Sequence, residues 1–262
     1  MDININSFND LPDIDNKPKN HPNLPREMFQ VVSGVKGAGK TFLVMTEILA
    51  PNFIDYQEIY FLTPNLNKIE NVYLRKGFER DLSKETMFNF RAGEKKFRPN
   101  QFTDVWNEIA KHNPSNEQPI KHVFTSKPSD IPHTSEMDET FKLFIVDDCG
   151  KQNYYNDVIE DLVLRGRSYN CMVIMLVQDF IQVPPTIRRQ TDCLVFFKTE
   201  GTCLDRIYTE MAQSMMPDKK KFLTYCNRYW KDKHDYVYIN KSLGQQIITN
   251  NIFNEAVINS NY

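Results

Sequence analysis

The sequence predicts an α/β fold, a mostly parallel central sheet with helices on both faces. Three observations predict it. Short apolar runs of strand length alternate with amphipathic segments of helix length. The run Cys171–Val177 is apolar without alternation, as a central strand covered on both faces must be. A glycine-rich turn, Ser33-Gly34-Val35-Lys36-Gly37-Ala38-Gly39-Lys40-Thr41, stands between the first strand and the first helix. Strands that alternate with helices imply right-handed crossovers, and so parallel neighbours.

The elements follow in order. Residues 1–25, rich in Asn, Asp and Pro and without periodicity, read as a flexible arm. The core is expected over 26–200, with a C-terminal extension of helices and a strand over 201–262. Met28–Val32 reads as a buried strand, and Phe42–Leu49 as an amphipathic helix stopped by Pro51. Glu58–Leu62 is a second strand, ended by Thr63-Pro64-Asn65. Residues 91–138 are the least regular part and read as an insertion or a mobile loop. They hold a basic cluster (Arg91, Lys95, Lys96, Arg98), a helix candidate at Gln101–His112 and a polar stretch from Asn113 to Asp138. Phe141–Val146 then reads as a strand, Val158–Leu164 as a helix, and Cys193–Phe197 as another strand. The tail from Gly201 offers two short helices and the strand-like Tyr236–Ile239. We find no internal repeat.

Composition excludes several classes. With 262 residues, 40% hydrophobic content and a mean hydropathy of −0.53, the chain can fill a sizeable core as a soluble protein. No apolar run approaches the roughly 18–20 residues of a membrane span, and the N-terminus lacks the features of a signal peptide. The five cysteines (149, 171, 193, 203, 226) are scattered and form no CxxC pair. They read as reduced thiols of an intracellular protein, not as a zinc site. A net charge of −2 means that any nucleic-acid contact needs a local basic surface.

The glycine-rich turn carries the first chemistry. Gly34, Gly39, Lys40 and Thr41 complete the pattern GxxxxGK[ST], a phosphate-binding loop. Its backbone N–H groups, from Gly34 through Val35, Lys36, Gly37, Ala38 and Gly39 to Thr41, can cradle phosphate oxygens. The dipole of the following helix adds positive charge beneath them. Lys40 is expected to reach the β- and γ-phosphates of ATP, and Thr41 to ligate Mg²⁺.

Phe144-Ile145-Val146-Asp147-Asp148 places two acids at the carboxyl end of a strand, the edge where open α/β sheets bind ligands. Asp147 is expected to hold Mg²⁺, and Asp148 to polarise the attacking water. Gln178, at the tip of the strand Cys171–Val177, is the candidate sensor of the γ-phosphate. Arg167, at the opposite edge of the sheet, is the candidate for completing a neighbour's site in trans; Arg188 and Arg189 compete with it.

The order of these segments resembles one family, the poxvirus-type genome-packaging ATPases of large DNA viruses and virophages, within the FtsK-HerA superfamily. The likeness spans roughly residues 28–240 and is strongest over 31–49 and 141–198. It rests on the phosphate loop, Ile-Val-Asp-Asp, Gly-Arg-Ser-Tyr-Asn, the apolar strand ending in Gln, Val-Pro-Pro-Thr-Ile-Arg-Arg and Leu-Val-Phe-Phe-Lys. Two positions depart from the pattern. Ala38 stands where the family usually has Ser, and Asp148 where cellular members have Glu. The resemblance implies a P-loop NTPase of RecA-like (ASCE) type, acting as a ring of five or six subunits. Such a ring pulls double-stranded DNA into a preformed capsid with a capsid or portal partner, inside the host cell.

A tract of Lys219, Lys220, Lys221, Arg228, Lys231 and Lys233, interleaved with Phe222, Tyr225, Tyr229 and Trp230, suits phosphate contacts with DNA. It equally suits a solvated helix face with its aromatics turned inward. Three other readings stay open: a cellular or conjugative DNA pump or helicase, a subunit using nucleotide only as glue, and a GTPase-type switch. For the last, Asp147-Asp148-Cys149-Gly150 fits DxxG, but Asn240-Lys241-Ser242-Leu243 lacks the acid of a guanine reader.

Overall fold

A computed structural model of the chain describes residues 20–93, 106–107, 119–148, 157–242 and 247–253, apart from the side chains of 90–93 and 247. The side chain of Arg91, all of Lys95, Lys96, Arg98 and Cys149, and most of Gln101–His112 lie outside these residues, as does the arm over 1–19.

Eight strands form one sheet in the order β3-β2-β4-β5-β1-β6-β7-β8. They are β1 (Phe29–Ser33), β2 (Glu58–Leu62), β3 (Lys121–Thr125), β4 (Lys142–Asp147), β5 (Cys171–Val177), β6 (Cys193–Phe197), β7 (Tyr236–Asn240) and β8 (Ile247–Thr249). The first six run parallel; β7 and β8 close one edge antiparallel. The helices are α1 (Lys40–Leu49), α2 (Ile69–Phe78), α3 (Lys84–Gly93), α4 (Asp157–Arg165), the single turn α5 (Pro185–Arg188), α6 (Gly201–Ile207) and α7 (Lys219–Tyr229). A π-helical turn, Tyr208–Ala212, continues α6.

Every residue of β1, β2, β4, β5 and β6 is buried, so these strands alternate between two apolar layers rather than between core and water. Val31, Phe144, Val173 and Phe196 enter one layer with α4, α6 and α7. Val32, Ile145, Ile174 and Val195 enter the other with α1, α2 and α3. The predicted α/β sheet with helices on both faces is therefore present.

Two regions depart from the sequence reading. The polar stretch from 113 to 138 contains β3, paired in parallel with β2, and two 3₁₀ turns at Pro128–Asp130 and Thr134–Glu136. As a sheet edge, β3 is only half-buried and carries no apolar run to betray it. The chain also packs from residue 20, ahead of the expected start at Arg26. Leu24 and Asn23 are buried, and the Asn23 carbonyl accepts bonds from the Tyr238 hydroxyl (2.9 Å) and Asn240 Nδ2 (3.0 Å). Partners more than 200 residues away leave no trace in local composition.

Candidate active site

β5 lies between β1 and β4, so the phosphate loop after β1 and the acids after β4 flank the tip of a single strand. That tip carries Gln178. The sheet order thus gathers residues 34–41, 147–148 and 178 at one carboxyl edge.

The loop owes its shape to two glycines. Gly39 caps α1 at φ 109°, a conformation costly for any residue with a Cβ. Gly34 touches Phe197 so closely that an added Cβ would stand 2.9 Å from the Phe197 Cβ. Val35, Lys36 and Gly37 face solvent, open to a ligand. Lys40 Nζ donates to the carbonyls of Gly34 and Val35. Burial pushes its ammonium below the ordinary lysine range, and Lys68 adds to that, while Asp147 and Asp148 oppose it.

On the acid side, Asp147 is buried and Asp148 is exposed. Burial raises the Asp147 carboxyl, with the nearby ammoniums of Lys68 and Lys40 working the other way. Asp148 takes a left-handed backbone, φ 55°, which Asp tolerates better than most residues. Gln178 Nε2 donates to Asp148 Oδ1 at 3.2 Å, joining two candidates that belong to separate strands.

Sequence reasoning missed Lys68. It sits just before α2, and its Nζ donates to Thr41 Oγ1 at 2.6 Å and lies 3.4 Å from Asp147 Oδ2. The two expected Mg²⁺ ligands therefore already converge on one positive centre, and two hard oxygen donors of this kind suit Mg²⁺. No motif marks Lys68, because it reaches the site from the loop after β2.

Sequence reasoning also missed the turn between α7 and β7 as part of this site. His234 Nδ1 is 2.9 Å from the Ala38 carbonyl. Lys233 Nζ stands 3.1 Å from where a Gly37 Cβ would be. Lys233, read in sequence as part of a DNA tract, thus lies over the phosphate loop. The rest of that tract divides: Lys219, Lys220, Lys221 and Arg228 are exposed, whereas Phe222 and Trp230 are buried and Tyr225 bonds the Ile248 carbonyl.

The arginines also divide. Arg167 lies at the far edge of the sheet, as expected, and Nη2 meets Asp192 Oδ2 at 2.6 Å with half its side chain exposed. Arg188 is buried and forks onto Glu210 (2.7 and 3.0 Å) while donating to the Val183 carbonyl. Arg189 is exposed. Among the described residues no cluster of His, Cys, Asp or Glu could hold a metal by itself, and no helix is long and apolar enough to cross a membrane. The four described cysteines are buried and free.

Residues 100–261 match the model of the family described as Poxvirus A32 protein. The chain belongs to this family. The matched span holds Asp147, Asp148, Arg167 and Gln178 and begins after the phosphate loop, so the A32 match and the loop are separate findings. No curated protein matches the sequence. Among solved structures, the genome packaging NTPase B204 of Sulfolobus turreted icosahedral virus 2, in complex with AMP, aligns at a TM-score of 0.50 and 11% identity. That alignment covers 86% of this chain and 97% of the viral one and shows the shared fold. B204, the DNA-packaging ATPase from Sulfolobus turreted icosahedral virus, aligns at 0.47 and 13% over the same shares. VirB4 of Thermoanaerobacter pseudethanolicus aligns at 0.42 and 10%, over 84% of this A32-family chain and 88% of its own.

Proposed function

We infer that this chain is a viral DNA-packaging ATPase, which hydrolyses ATP with Mg²⁺ to move double-stranded DNA into a preformed capsid. One observation carries the reading. In a chain of the A32 family, a phosphate loop, two strand-end acids and a glutamine bonded to one of them share a single sheet edge. The fold shared with B204, described as a genome packaging NTPase, supports the same reading.

The chain's own groups would divide the work as follows. The loop N–H groups and Lys40 bind and orient the triphosphate, Lys40 leaving the Gly34 and Val35 carbonyls to do so. Thr41 and Asp147 are the residues that would hold Mg²⁺, which when bound neutralises charge on the phosphates. Asp148 orients the water and accepts its proton. Gln178 holds Asp148 Oδ1 and so registers the state of the site. Arg167 faces away from its own loop, and a neighbour in a five- or six-membered ring would receive it. Arg188 would first have to leave Glu210.

The exposed lysines of α7 suit phosphate contacts that ignore base sequence, with Phe222 and Trp230 turned into the core. The domain division proposed is an arm, a core to about residue 200 and an extension from 201, with a capsid or portal partner and a place inside the infected cell. A guanine-specific switch is disfavoured by topology. Asn240 pairs with Cys193, at the edge of the sheet opposite the phosphate loop, and is buried against Asn23.

The test is ATP turnover with and without double-stranded DNA, on protein sized in solution. Stimulation by DNA in a multimer is expected. A monomer whose turnover ignores DNA overturns the motor reading.

A further inference from the structure

We propose that Lys68 is a placeholder for the divalent cation: its ammonium bridges Thr41 and Asp147 when the metal is absent and yields them when metal and nucleotide enter together. The inference rests on the nucleotide-binding reading above and deepens it.

Four observations carry it. First, Lys68 Nζ bonds the Thr41 hydroxyl, the last residue of the phosphate loop, at 2.6 Å and meets the buried Asp147 carboxylate at 3.4 Å. An ordinary surface ion pair has no reason to recruit that hydroxyl. Second, the two oxygens belong to elements far apart in sequence, so a cation between them ties α1 to β4. Third, Lys68 remains one-third exposed, so the ammonium can swing out without unfolding anything. Fourth, a divalent ion at Thr41 and Asp147 cannot share those oxygens with an ammonium.

The displacement leaves the start of α2 in place. Lys68 is the N-terminal cap residue of α2: its carbonyl accepts Val72 N at 3.0 Å and its N–H donates to the Asn65 carbonyl at 3.3 Å. Asn71 Nδ2 bonds the same Asn65 carbonyl at 2.8 Å, and Asn65 N reaches Thr63 Oγ1 at 3.2 Å. These bonds use the Lys68 backbone and not its ammonium, so the loop from 63 to 68 and the first turn of α2 hold while the side chain swings out.

The experiment uses the full chain and two probes, ATPγS binding by calorimetry in EDTA or in Mg²⁺, and Mn²⁺ binding to nucleotide-free protein by electron paramagnetic resonance. In Lys68→Met, ATPγS affinity in EDTA is expected to fall about tenfold, because the stand-in charge has gone. In Mg²⁺ the difference from wild type should shrink to within about twofold. Mn²⁺ should bind the nucleotide-free variant at least about fivefold more tightly than wild type. Lys68→Gln keeps a donor for Thr41 but no charge and should behave like Lys68→Met, whereas Lys68→Arg should stay near wild type. Unchanged EDTA affinity, unchanged Mn²⁺ binding, or a Gln variant matching wild type each overturns the proposal. If wild type itself fails to bind ATPγS in Mg²⁺, the nucleotide reading falls first; if wild type binds and the variants match it, only the placeholder falls.

Discussion

The phosphate loop has two unlike flanks. Toward β5 and β4 stand Asp147, Asp148 and Gln178 at the tips of buried strands, with Lys68 reaching in from the loop before α2. Toward β6 and β7 stand Phe197, packed on Gly34, and the turn of Lys233 and His234, which reaches the loop with a single hydrogen bond from outside the core. The first flank holds the acids expected to orient water and hold a metal. The second holds neither of these acids, yet it connects the loop to α7, whose lysines face solvent. The contrast separates a flank of candidate catalytic groups from an attached flank that leads to the C-terminal extension.

The largest expected effect lies on the first flank. Asp148→Asn should lower ATP turnover about 10³-fold, within the usual range for a lost general base, while ATPγS affinity stays within about twofold. Asn tolerates the left-handed backbone at 148, so the fold should survive. Turnover near wild type would move the chemistry away from Asp148. Lys40→Ala comes next. Loss of a charged donor to phosphate costs about 1.5–3 kcal/mol, so ATPγS should bind roughly ten- to a hundredfold more weakly by calorimetry. Unaltered affinity would mean that Lys40 keeps its grip on the Gly34 and Val35 carbonyls in the bound state.

A third prediction concerns the helix beneath both flanks. Glu47 is fully buried on α1, where Gln30 Nε2 donates to its Oε2 at 2.8 Å, and burial pushes its carboxyl up to about 8. Glu47 Oε1 and Gln30 Oε1 have no hydrogen-bond partner, an arrangement that a proton on Glu47 relieves. Because the folded value lies above the unfolded one of 4.5, this stabilisation is complete below about pH 4.5 and is lost as pH rises toward 8. The full loss is a few kcal/mol, on the order of 3–5. Thermal melts of wild type should therefore drop between pH 5 and 8 relative to Glu47→Gln, which has no proton to lose. Parallel curves would show that Glu47 is not protonated in the fold.

The first flank was largely legible in the sequence and the second was not, for a physical reason. The loop glycines, Asp147, Asp148 and Gln178 sit at the ends of strands whose uninterrupted apolar runs announce them, and a parallel sheet gathers such ends at one edge. Lys68 and His234 belong to loops and arrive by tertiary packing, with no periodicity around them to signal it. Lys233 shows the hazard most directly. Its neighbours in sequence are basic and aromatic, which suggests one DNA-binding tract, but the chain turns after α7. Asp235 Oδ2 accepts from the backbone N–H groups of Lys231 (2.8 Å) and Asp232 (2.6 Å), and that closure carries residues 233 and 234 onto the phosphate loop. Similarly, β3 pairs with β2 as an edge strand and needs no apolar face, so polar composition concealed it.

The smallest expected effect decides what the second flank is for. The Ala38 carbonyl can only accept, so His234 must carry its proton on Nδ1 to hold it. His234→Ala removes that donor, and a partly buried hydrogen bond of this kind contributes about 0.5–1.5 kcal/mol. Nucleotide affinity should fall a few-fold by calorimetry, and basal turnover at saturating ATP should hold. The informative quantity is the ratio of turnover with DNA to turnover without it. If the turn at 231–235 relays contact at α7 to the loop, His234→Ala lowers this ratio while basal turnover stays. If basal turnover drops and the ratio stays, the hydrogen bond only props the loop, and the second flank is scaffolding for the first.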